Sequence, residues 1–144
     1  MRTEFTSPYL LSLRVNEYKY PLAKELESPS ETKVISYLLD QQTICTRDLI
    51  NNTSQAINHD VAVDFLELNT RGDILIFRDK KRNLYVFDTK SRAKSLVLFW
   101  SGYVQWIPDS NGLVAQSRDK MCVWYNINAV NQVIVNVLMY KLFL

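Results

Sequence analysis

The residues best suited to chemistry are few in this chain: one histidine, His59, and two cysteines, Cys45 and Cys122. A zinc site needs about four nitrogen, sulfur or carboxylate ligands at characteristic short spacings, which these three residues lack. A nucleophile–base pair centred on His59 would be accompanied by a nucleophile motif, and none is present. The sequence has only three glycines and no glycine-rich phosphate loop. These observations predict a non-enzymatic protein that carries no metal and no cofactor and has no small-molecule substrate.

Both cysteines lie inside strand-like apolar runs, and the first eight residues do not resemble a secretory signal. Reduced, buried thiols that pack as small apolar side chains are therefore expected. The longest apolar stretch, at residues 133–144, is interrupted by Asn136 and Lys141 and is too short for a membrane-spanning helix. The sequence predicts no transmembrane segment.

Two groups of charged residues offer contact chemistry. Arg71-Gly72-Asp73 matches the tripeptide that integrins bind, although the same residues also suit a tight hairpin turn. Lys80-Lys81-Arg82, together with Lys90, Arg92 and Lys94, predicts a basic cluster that could contact nucleic acid or an anionic membrane. Seventeen basic and fifteen acidic residues leave a net charge of +2, so solvated turns are the favoured interpretation and no nucleic-acid partner is predicted.

The elements that must position these residues follow from a repeat. Gly72 and the run Arg78-Asp79-Lys80 reappear as Gly112 and Arg118-Asp119-Lys120, a shift of 40 residues (112 minus 72), with a strand-like run between them in each copy. A fainter copy precedes them and has a polar turn at 40–42. A period of about 40 residues that holds four short strands is typical of a WD40-type β-propeller blade. Repeats of this kind recognise partners more often than they catalyse reactions.

Alternation and turn signals predict an all-β chain of about three four-stranded antiparallel blades. Blade 1 is predicted at about residues 9–58 with a surface insertion at 16–32, blade 2 at 59–100 and blade 3 at 101–139, followed by a divergent tail at 140–144. The strands predicted for blade 1 are Tyr9–Val15, Lys33–Leu39, Thr43–Asp48 and Gln55–Asn58. Those for blade 2 are Val63–Leu68, Ile74–Phe77, Leu84–Asp88 and Leu96–Trp100. Those for blade 3 are Tyr103–Ile107, Leu113–Gln116, Met121–Tyr125 and Val133–Met139.

Three blades are too few to close a ring, since propellers typically have at least four. The apolar end at 138–144 also lacks the polar cap that terminates a repeat array. We therefore expect an open propeller fragment of a longer protein, with edges that favour aggregation when the chain is isolated. Tyrosines and tryptophans alternate with polar residues, so most of them are expected in the core between sheets.

In a WD40-type blade, a histidine ahead of the first strand often bonds the aspartate of the turn between the two middle strands. His59 precedes the first strand of blade 2 and would bond Asp79 in this way. Phe87 stands where such blades carry tryptophan, and Asp119 and Trp124 are the corresponding residues of blade 3. We predict that these five residues form a structural network within the blades.

Several runs of residues resemble a known family. They are Val63–Asn69, Leu75–Lys81, Tyr103–Pro108, Val114–Gln116, Cys122–Ile127 and an N-terminal stretch from Phe5 to Glu17. Over about residues 4–130 the chain resembles the second propeller of the intraflagellar transport protein 172 family. The resemblance implies a non-catalytic scaffold or protein-interaction fragment from a subunit of intraflagellar transport complex B, with protein subunits of that complex as partners. It also implies a role in ciliary transport and cilium assembly, and a location at the cilium, at the basal body and in the cytoplasm.

Two other interpretations stay open. A propeller fragment of another vesicle-coat or trafficking scaffold would share the fold but not the partners. An extracellular adhesion module would use Arg71-Gly72-Asp73 as its recognition turn.

Overall fold

The structure, a computed structural model, describes residues 10–16, 32–128 and 133–135. These residues form twelve β-strands in three antiparallel sheets of four strands, and no α-helix occurs among them. In every sheet, strands that are consecutive in the sequence are neighbours. The sheets follow one another without closing a ring within the described residues. The fold is therefore an open, partial WD40-type β-propeller, as the sequence predicts.

The bounds of the strands place one sheet after another along the chain. Sheet 1 contains β1 (Leu11–Asn16), β2 (Thr32–Asp40), β3 (Thr43–Asp48) and β4 (Thr53–Asn58). Sheet 2 contains β5 (Val63–Leu68), β6 (Ile74–Asp79), β7 (Leu84–Asp88) and β8 (Lys94–Leu98). Sheet 3 contains β9 (Ser101–Trp106), β10 (Leu113–Ser117), β11 (Lys120–Trp124) and β12 (Val133–Val135).

Antiparallel pairing sorts the connections between strands into two ends of the molecule. The end that we call the lower end carries the connections at 41–42, 59–62, 80–83, 99–100 and 118–119. The upper end carries the connections at 49–52, 69–73, 89–93 and 107–112. Backbone hydrogen bonds join neighbouring connections at each end, such as Lys80 N to Ala62 O and Ser101 N to Arg82 O at the lower end, both 2.8 Å.

Sheet 2 is covered on both faces by its neighbours, and its strands reflect this. The run Ile74–Phe77 in β6 is apolar and buried at every position, as expected for a strand between two packed sheets. In β9, by contrast, burial is concentrated at Ser101 and Trp106, and the residues between them are partly or fully exposed. The middle sheet is therefore the part of the core on which the other two depend.

Two clusters of buried apolar residues lie between the sheets. The first interface, between sheets 1 and 2, contains Val34, Ile44, Ile57, Val63, Leu66, Leu68, Leu75, Phe77 and Phe87. The second interface, between sheets 2 and 3, contains Ile74, Ile76, Leu84, Val86, Trp106, Leu113, Ala115, Cys122 and Trp124. The opposite face of sheet 1 remains open within the described residues, and Leu13, Val15 and Leu39 are exposed there.

The backbone register identifies equivalent positions in sheets 2 and 3. Leu75 pairs with Leu68 in the preceding strand and with Phe87 in the following one. The residue of sheet 3 with the same pairing is Leu113, so the structural repeat is 38 residues (113 minus 75) at this point. The equivalent positions used below are Leu68 and Trp106, Phe77 and Ala115, Tyr85 and Cys122, and Phe87 and Trp124.

This register corrects the predicted shift of 40 residues. Gly72 lies inside the β5–β6 turn with a φ of 77°, whereas Gly112 accepts the amide of Ile107 at the entrance to β10. The Arg-Asp-Lys repeat is likewise not structurally equivalent. Arg78 and Asp79 end β6, but Arg118 and Asp119 are themselves the turn before β11. The β6–β7 turn has two residues more than the β10–β11 turn, and this difference in length moves the second copy out of register.

The predicted strands all occur, with shifts at their ends. β8 is displaced at both ends: it spans Lys94–Leu98, whereas the prediction placed it at Leu96–Trp100. Trp100 has a φ of 59°, so the extended conformation has already ended there. Almost all of the predicted insertion at 16–32 lies outside the described residues. The predicted tail at 140–144 and the residues after Val135 in the last predicted strand lie outside them entirely.

Several aromatic side chains differ from the expectation that most are buried. Trp106 and Trp124 are in the core, but Phe99, Trp100, Tyr103 and Tyr125 are exposed. Phe99 and Trp100 lie in a connection rather than in a strand, and for that reason the alternation rule does not apply to them.

Six residues other than glycine have a positive φ, a conformation that side chains with a Cβ atom disfavour. All six lie in connections between strands. They are Asn52, Arg82, Arg92, Trp100, Asp109 and Arg118.

Candidate functional site

His59 and Asp79 form the most buried of the described pairs between a basic and an acidic side chain. The Nε2 atom of His59 lies 2.9 Å from Oδ2 of Asp79, and each side chain is 1% exposed. His59 follows the last residue of β4, and Asp79 is the last residue of β6. The pair therefore joins the connection between sheets 1 and 2 to a hairpin turn of sheet 2.

The second carboxylate oxygen of Asp79 organises the β6–β7 turn. Oδ1 accepts the backbone amide of Lys81 at 2.9 Å and that of Asn83 at 3.1 Å. The carbonyl of Asp79 also accepts the amide of Arg82 at 2.9 Å. One aspartate thus holds both the turn of its own hairpin and the histidine of the preceding connection.

The tautomer of His59 follows from its neighbours. The Nζ atom of Lys94 lies 3.2 Å from Nδ1 of His59, and an ammonium group can only donate a hydrogen bond. Nδ1 is therefore the acceptor, and Nε2 carries the hydrogen that is donated to Asp79. In this arrangement the imidazole bridges the Lys94 ammonium and the Asp79 carboxylate.

Two aromatic rings enclose the imidazole. The ring centroid of His59 lies 5.1 Å from that of Phe77 and 4.6 Å from that of Tyr85, both in edge-on geometry. Burial of Tyr85, and secondly the charge of Asp79, raise the pKa of the tyrosine hydroxyl above its usual 10.0. The site is a closed box in which a substrate could not reach the histidine.

Within the described part of the chain, no metal-binding cluster accompanies this pair. Among residues 10–16, 32–128 and 133–135, no group of three or more His, Cys, Asp and Glu side chains is placed to hold a metal ion. Cys45 and Cys122 are buried free thiols in different sheets. What the His59–Asp79 geometry can do chemically is to fix the position of a connection and a turn.

The other residues of the predicted network lie apart from this box. Phe87 is buried in the first interface, and Trp124 occupies the equivalent position in the second. Asp119, however, is exposed at the tip of the two-residue β10–β11 turn. The prediction treated it as the counterpart of Asp79, and the shorter turn is the physical reason that it is not.

Inter-sheet hydrogen bonds on β5 were not foreseen from the sequence. The guanidinium of Arg14 donates to the carbonyl of Leu68 at 3.1 Å and to the Glu67 carboxylate at 2.9 Å. From the other side, Trp106 Nε1 donates to the carbonyl of Glu67 at 3.2 Å. The sequence gives no signal for these bonds, because they depend on how far one sheet is rotated against the next.

The predicted basic cluster is split by the fold. Lys80, Lys81 and Arg82 lie at the lower end, whereas Lys90 and Arg92 lie in the next hairpin turn, at the upper end. Consecutive turns of an antiparallel sheet are separated by the length of a strand, roughly 15 Å for the five residues of β7. These cations therefore cannot act as one surface.

The upper-end cations border a groove of about 550 Å³ between sheets 1 and 2, which also includes Arg71-Gly72-Asp73. The carboxylate of Asp73 accepts the side-chain amide of Asn69 at 2.8 Å, and Gly72 is buried. A Cβ atom on Gly72 would lie 3.1 Å from the side chain of Thr32. These contacts support the hairpin-turn interpretation of the tripeptide, because its aspartate is held within the turn.

No helix of the described residues is long and apolar enough to span a membrane. No family model matches the chain. It is 43% identical over 135 residues to intraflagellar transport protein 172 of Chlamydomonas reinhardtii, across 92% of the chain and 7% of that protein. It is 41% identical over 134 residues to the human intraflagellar transport protein 172 homolog, and 40% identical over 134 residues to intraflagellar transport protein osm-1 of Caenorhabditis elegans. The chain spans about 7% of the length of these relatives.

Proposed function

The chain belongs to the intraflagellar transport protein 172 family, and on that premise we propose that it is a non-catalytic scaffold segment that acts in intraflagellar transport. The observation that carries the proposal is the identity of 40–43% with relatives from alga, nematode and human over nearly the whole chain. We extend the proposal to docking onto protein subunits of intraflagellar transport complex B, to cilium assembly, and to a location at the cilium, the basal body and the cytoplasm.

The shape of the molecule supports a docking role over a catalytic one. The polar residues best suited to chemistry, His59 and Asp79, are enclosed, and their hydrogen bonds hold a connection and a turn in place. The sheets pack on each other through buried apolar interfaces, and the exposed rings of Phe99, Trp100 and Tyr125 lie outside the strands. A scaffold of this kind binds partners through a few anchors on its connections.

We further propose that the sheets correspond to three propeller blades with the boundaries predicted from the sequence. We also propose that His59, Asp79 and Phe87 belong to one structural network with Trp124 as the equivalent of Phe87. The buried 2.9 Å contact of His59 with Asp79 supports the first part, and the shared backbone register supports the second.

The proposal is tested by expressing the tagged 144-residue chain in ciliated cells and following it by affinity purification and size-exclusion chromatography. We expect it to elute with subunits of the ciliary transport complex and to accumulate at cilia and basal bodies. A matched pair of variants controls for folding: Asp79→Ala, which removes a buried acceptor, should lose the association, and Asp119→Ala, at an exposed turn, should keep it. Elution without any ciliary subunit, or a purely Golgi or endosomal location, would instead favour a scaffold of another trafficking coat.

A further inference from the structure

The lower end of the molecule carries a strip of unpaired cations and exposed aromatic rings between sheets 2 and 3. We define this cationic–aromatic strip as Lys80–Arg82, Phe99-Trp100, Arg118 and Lys120. Phe99 is 58% exposed and Trp100 is 56% exposed, although both are large apolar residues. Solvent exposure of two adjacent aromatic rings has an unfavourable hydration cost and is typical of a surface that binds a partner.

Contacts between the connections hold the strip together. Ser101 donates its amide to the carbonyl of Arg82 at 2.8 Å, which places the aromatic pair beside the β6–β7 turn. On the other side, the hydroxyl of Ser117 donates to the carbonyl of Phe99 at 2.8 Å. The guanidinium carbon of Arg118 lies 4.2 Å from the centroid of the Trp100 ring. Residues from three different connections therefore form one surface.

The backbone of the strip is strained at three points. Arg82, Trp100 and Arg118 have φ angles of 71°, 59° and 59°, and none of them is a residue type that favours this conformation. Strained residues persist where surrounding contacts hold them, and they cluster at binding and catalytic sites. In each of the three connections that form the strip, one such residue fixes the direction of an exposed side chain.

The cations of the strip differ from the two ion-paired arginines of the strands. Arg14 and Arg78, on the strands, each form an ion pair at 2.9 Å, with Glu67 and Asp64. Within the described part of the chain, the five cations of the strip form no ion pair. Asp119 is the exposed acidic residue of these connections, and the buried carboxylate of Asp79 lies beside Lys81, so five cations stand against two carboxylates, an excess of three positive charges (five minus two).

We propose that this strip is a docking site for a short acidic segment of another protein, one with two or more carboxylates beside an aromatic or aliphatic residue. The guanidinium of Arg118 lies over the Trp100 ring and forms no hydrogen bond within the described residues, so its N–H groups can form paired hydrogen bonds with a carboxylate. Packed sheets are roughly 10 Å apart, a distance that about four extended residues can span. The apolar residue of the segment would contact Phe99 and the free edge of Trp100.

The charge distribution favours a narrow acidic segment over an anionic membrane. A bilayer would face the whole lower end, where Asp40 and Asp60 are exposed beside sheet 1. Those carboxylates would be repelled by anionic headgroups, whereas a short segment would contact only the cationic strip. This inference rests on the proposed scaffold function, because it names the chemical class of a partner for that scaffold.

The experiment measures binding of a fluorescein-labelled synthetic peptide to the 144-residue chain by anisotropy, and protection of Trp100 from acrylamide quenching. The probe peptide has the core Glu-Asp-Phe-Asp-Glu between glycine–serine flanks. Its matched controls replace the acidic residues by lysine, or the phenylalanine by glycine. Because Trp106 and Trp124 are buried, the quenching signal reports mainly on Trp100. We expect the acidic probe to bind, to protect Trp100, and to bind more weakly as salt is raised.

Variants locate the site. Lys81→Gln and Arg118→Gln should each weaken the probe by about fivefold, the effect of one screened charge contact, and Trp100→Ala should weaken it by about tenfold or more. Lys90→Gln, which removes the same charge at the upper end, should have no effect. Circular dichroism melting confirms that each variant is folded, as expected for substitutions of exposed side chains.

Three results would overturn the proposal: no binding of the acidic probe, equal weakening by Lys90→Gln, or tighter binding to phosphatidylserine vesicles or to a single-stranded oligonucleotide than to the probe. Co-purification with the ciliary transport complex is measured separately. If the chain enters that complex but does not bind the acidic probe, the docking inference fails and the scaffold function stands. If it binds the probe but no ciliary subunit, the scaffold function fails.

Discussion

The two interfaces between sheets are built on the same backbone register but are filled in opposite ways. In the first interface the central position is Phe77, flanked by Leu68 and Phe87. In the second interface the central position is Ala115, and the flanking positions hold the two tryptophans Trp106 and Trp124. The first interface has its large side chain at the central position, whereas the second has large side chains at the flanking positions. The two interfaces therefore fill their space from different positions.

A second difference accompanies the first. Phe77 leaves room beside it for His59, whose imidazole contacts the phenylalanine and Tyr85 and reaches Asp79. In the second interface the described residues include no such polar pair, and Asp119 is exposed. A repeat of this kind therefore conserves volume and register between units, whereas a buried polar pair such as His59–Asp79 is an optional addition to one of them.

Truncating the centre of the first interface should have the largest effect. Phe77→Ala removes a fully buried ring that also supports His59, and we expect the free energy of unfolding to fall by about 4 kcal/mol. Urea denaturation followed by tryptophan fluorescence measures this change. A loss below about 1 kcal/mol would mean that the first interface can collapse around the cavity, and the central position would then not be decisive.

Removing the buried His59–Asp79 pair should have the next largest effect. Asp79→Ala leaves the Nε2–H group of His59 and the amides of Lys81 and Asn83 without an acceptor, and we expect a loss of about 3 kcal/mol. Asp119→Ala is the matched control at the exposed turn and should not change the denaturation midpoint measurably. Similar effects of both substitutions would show that the two turns are energetically equivalent after all.

Enlarging the centre of the second interface tests the comparison from the other side. Ala115→Phe introduces the residue found at the equivalent position of sheet 2, but between two tryptophans it has no free space. We expect a loss of about 2 kcal/mol from overpacking, with Ala115→Leu intermediate. A neutral or stabilising result in the same urea assay would show that the second interface has space beside Ala115 for a larger side chain.

The smallest expected effect is a dependence on pH at the equivalent positions Tyr85 and Cys122. Burial, opposed in part by the charge of Lys120, raises the pKa of the Cys122 thiol above its usual 9.0. The thiol of the unfolded chain therefore ionises at a lower pH than the thiol of the folded chain. Its contribution to stability is fully present below the unfolded pKa and is lost as the pH rises through the folded pKa. From about pH 8 to about pH 10, under reducing conditions, the free energy of unfolding of Cys122→Ala should decline less steeply than that of the parent chain. Parallel profiles would contradict a role for this thiol.

Much of the fold follows from the sequence, and the exceptions have physical reasons. Alternating runs bounded by polar turns predict the strands, as for Val63–Leu68 and Thr43–Asp48, whose bounds agree with the structure. The length of a turn is harder to predict, because Arg-Asp-Lys fits both the end of β6 and the tip of the β10–β11 turn. Local pattern carries no information on which of the two is chosen.

The candidate site shows the same division. The pairing of His59 with Asp79 was predicted, since both residues have fixed places in a repeat of this type. The contacts of Lys94, Arg14 and Trp106 with neighbouring elements were not, because each depends on distances set by the packing of whole sheets. The sequence likewise places Lys80 and Lys90 in one cluster, and only the alternation of hairpin ends separates them.

The positive φ angles of the connections have a consequence for how this chain would respond to selection for heat resistance. Asn52 and Asp109 tolerate the left-handed conformation, but Arg82, Arg92, Trp100 and Arg118 hold it against their intrinsic preference. A glycine at any of these four sites would relax the backbone, and each is an exposed position where loss of the side chain leaves no cavity. A screen for thermotolerant variants should therefore return glycine there repeatedly. Retention of the larger residues would indicate that lineages carrying this chain have maintained those side chains at the expense of melting temperature.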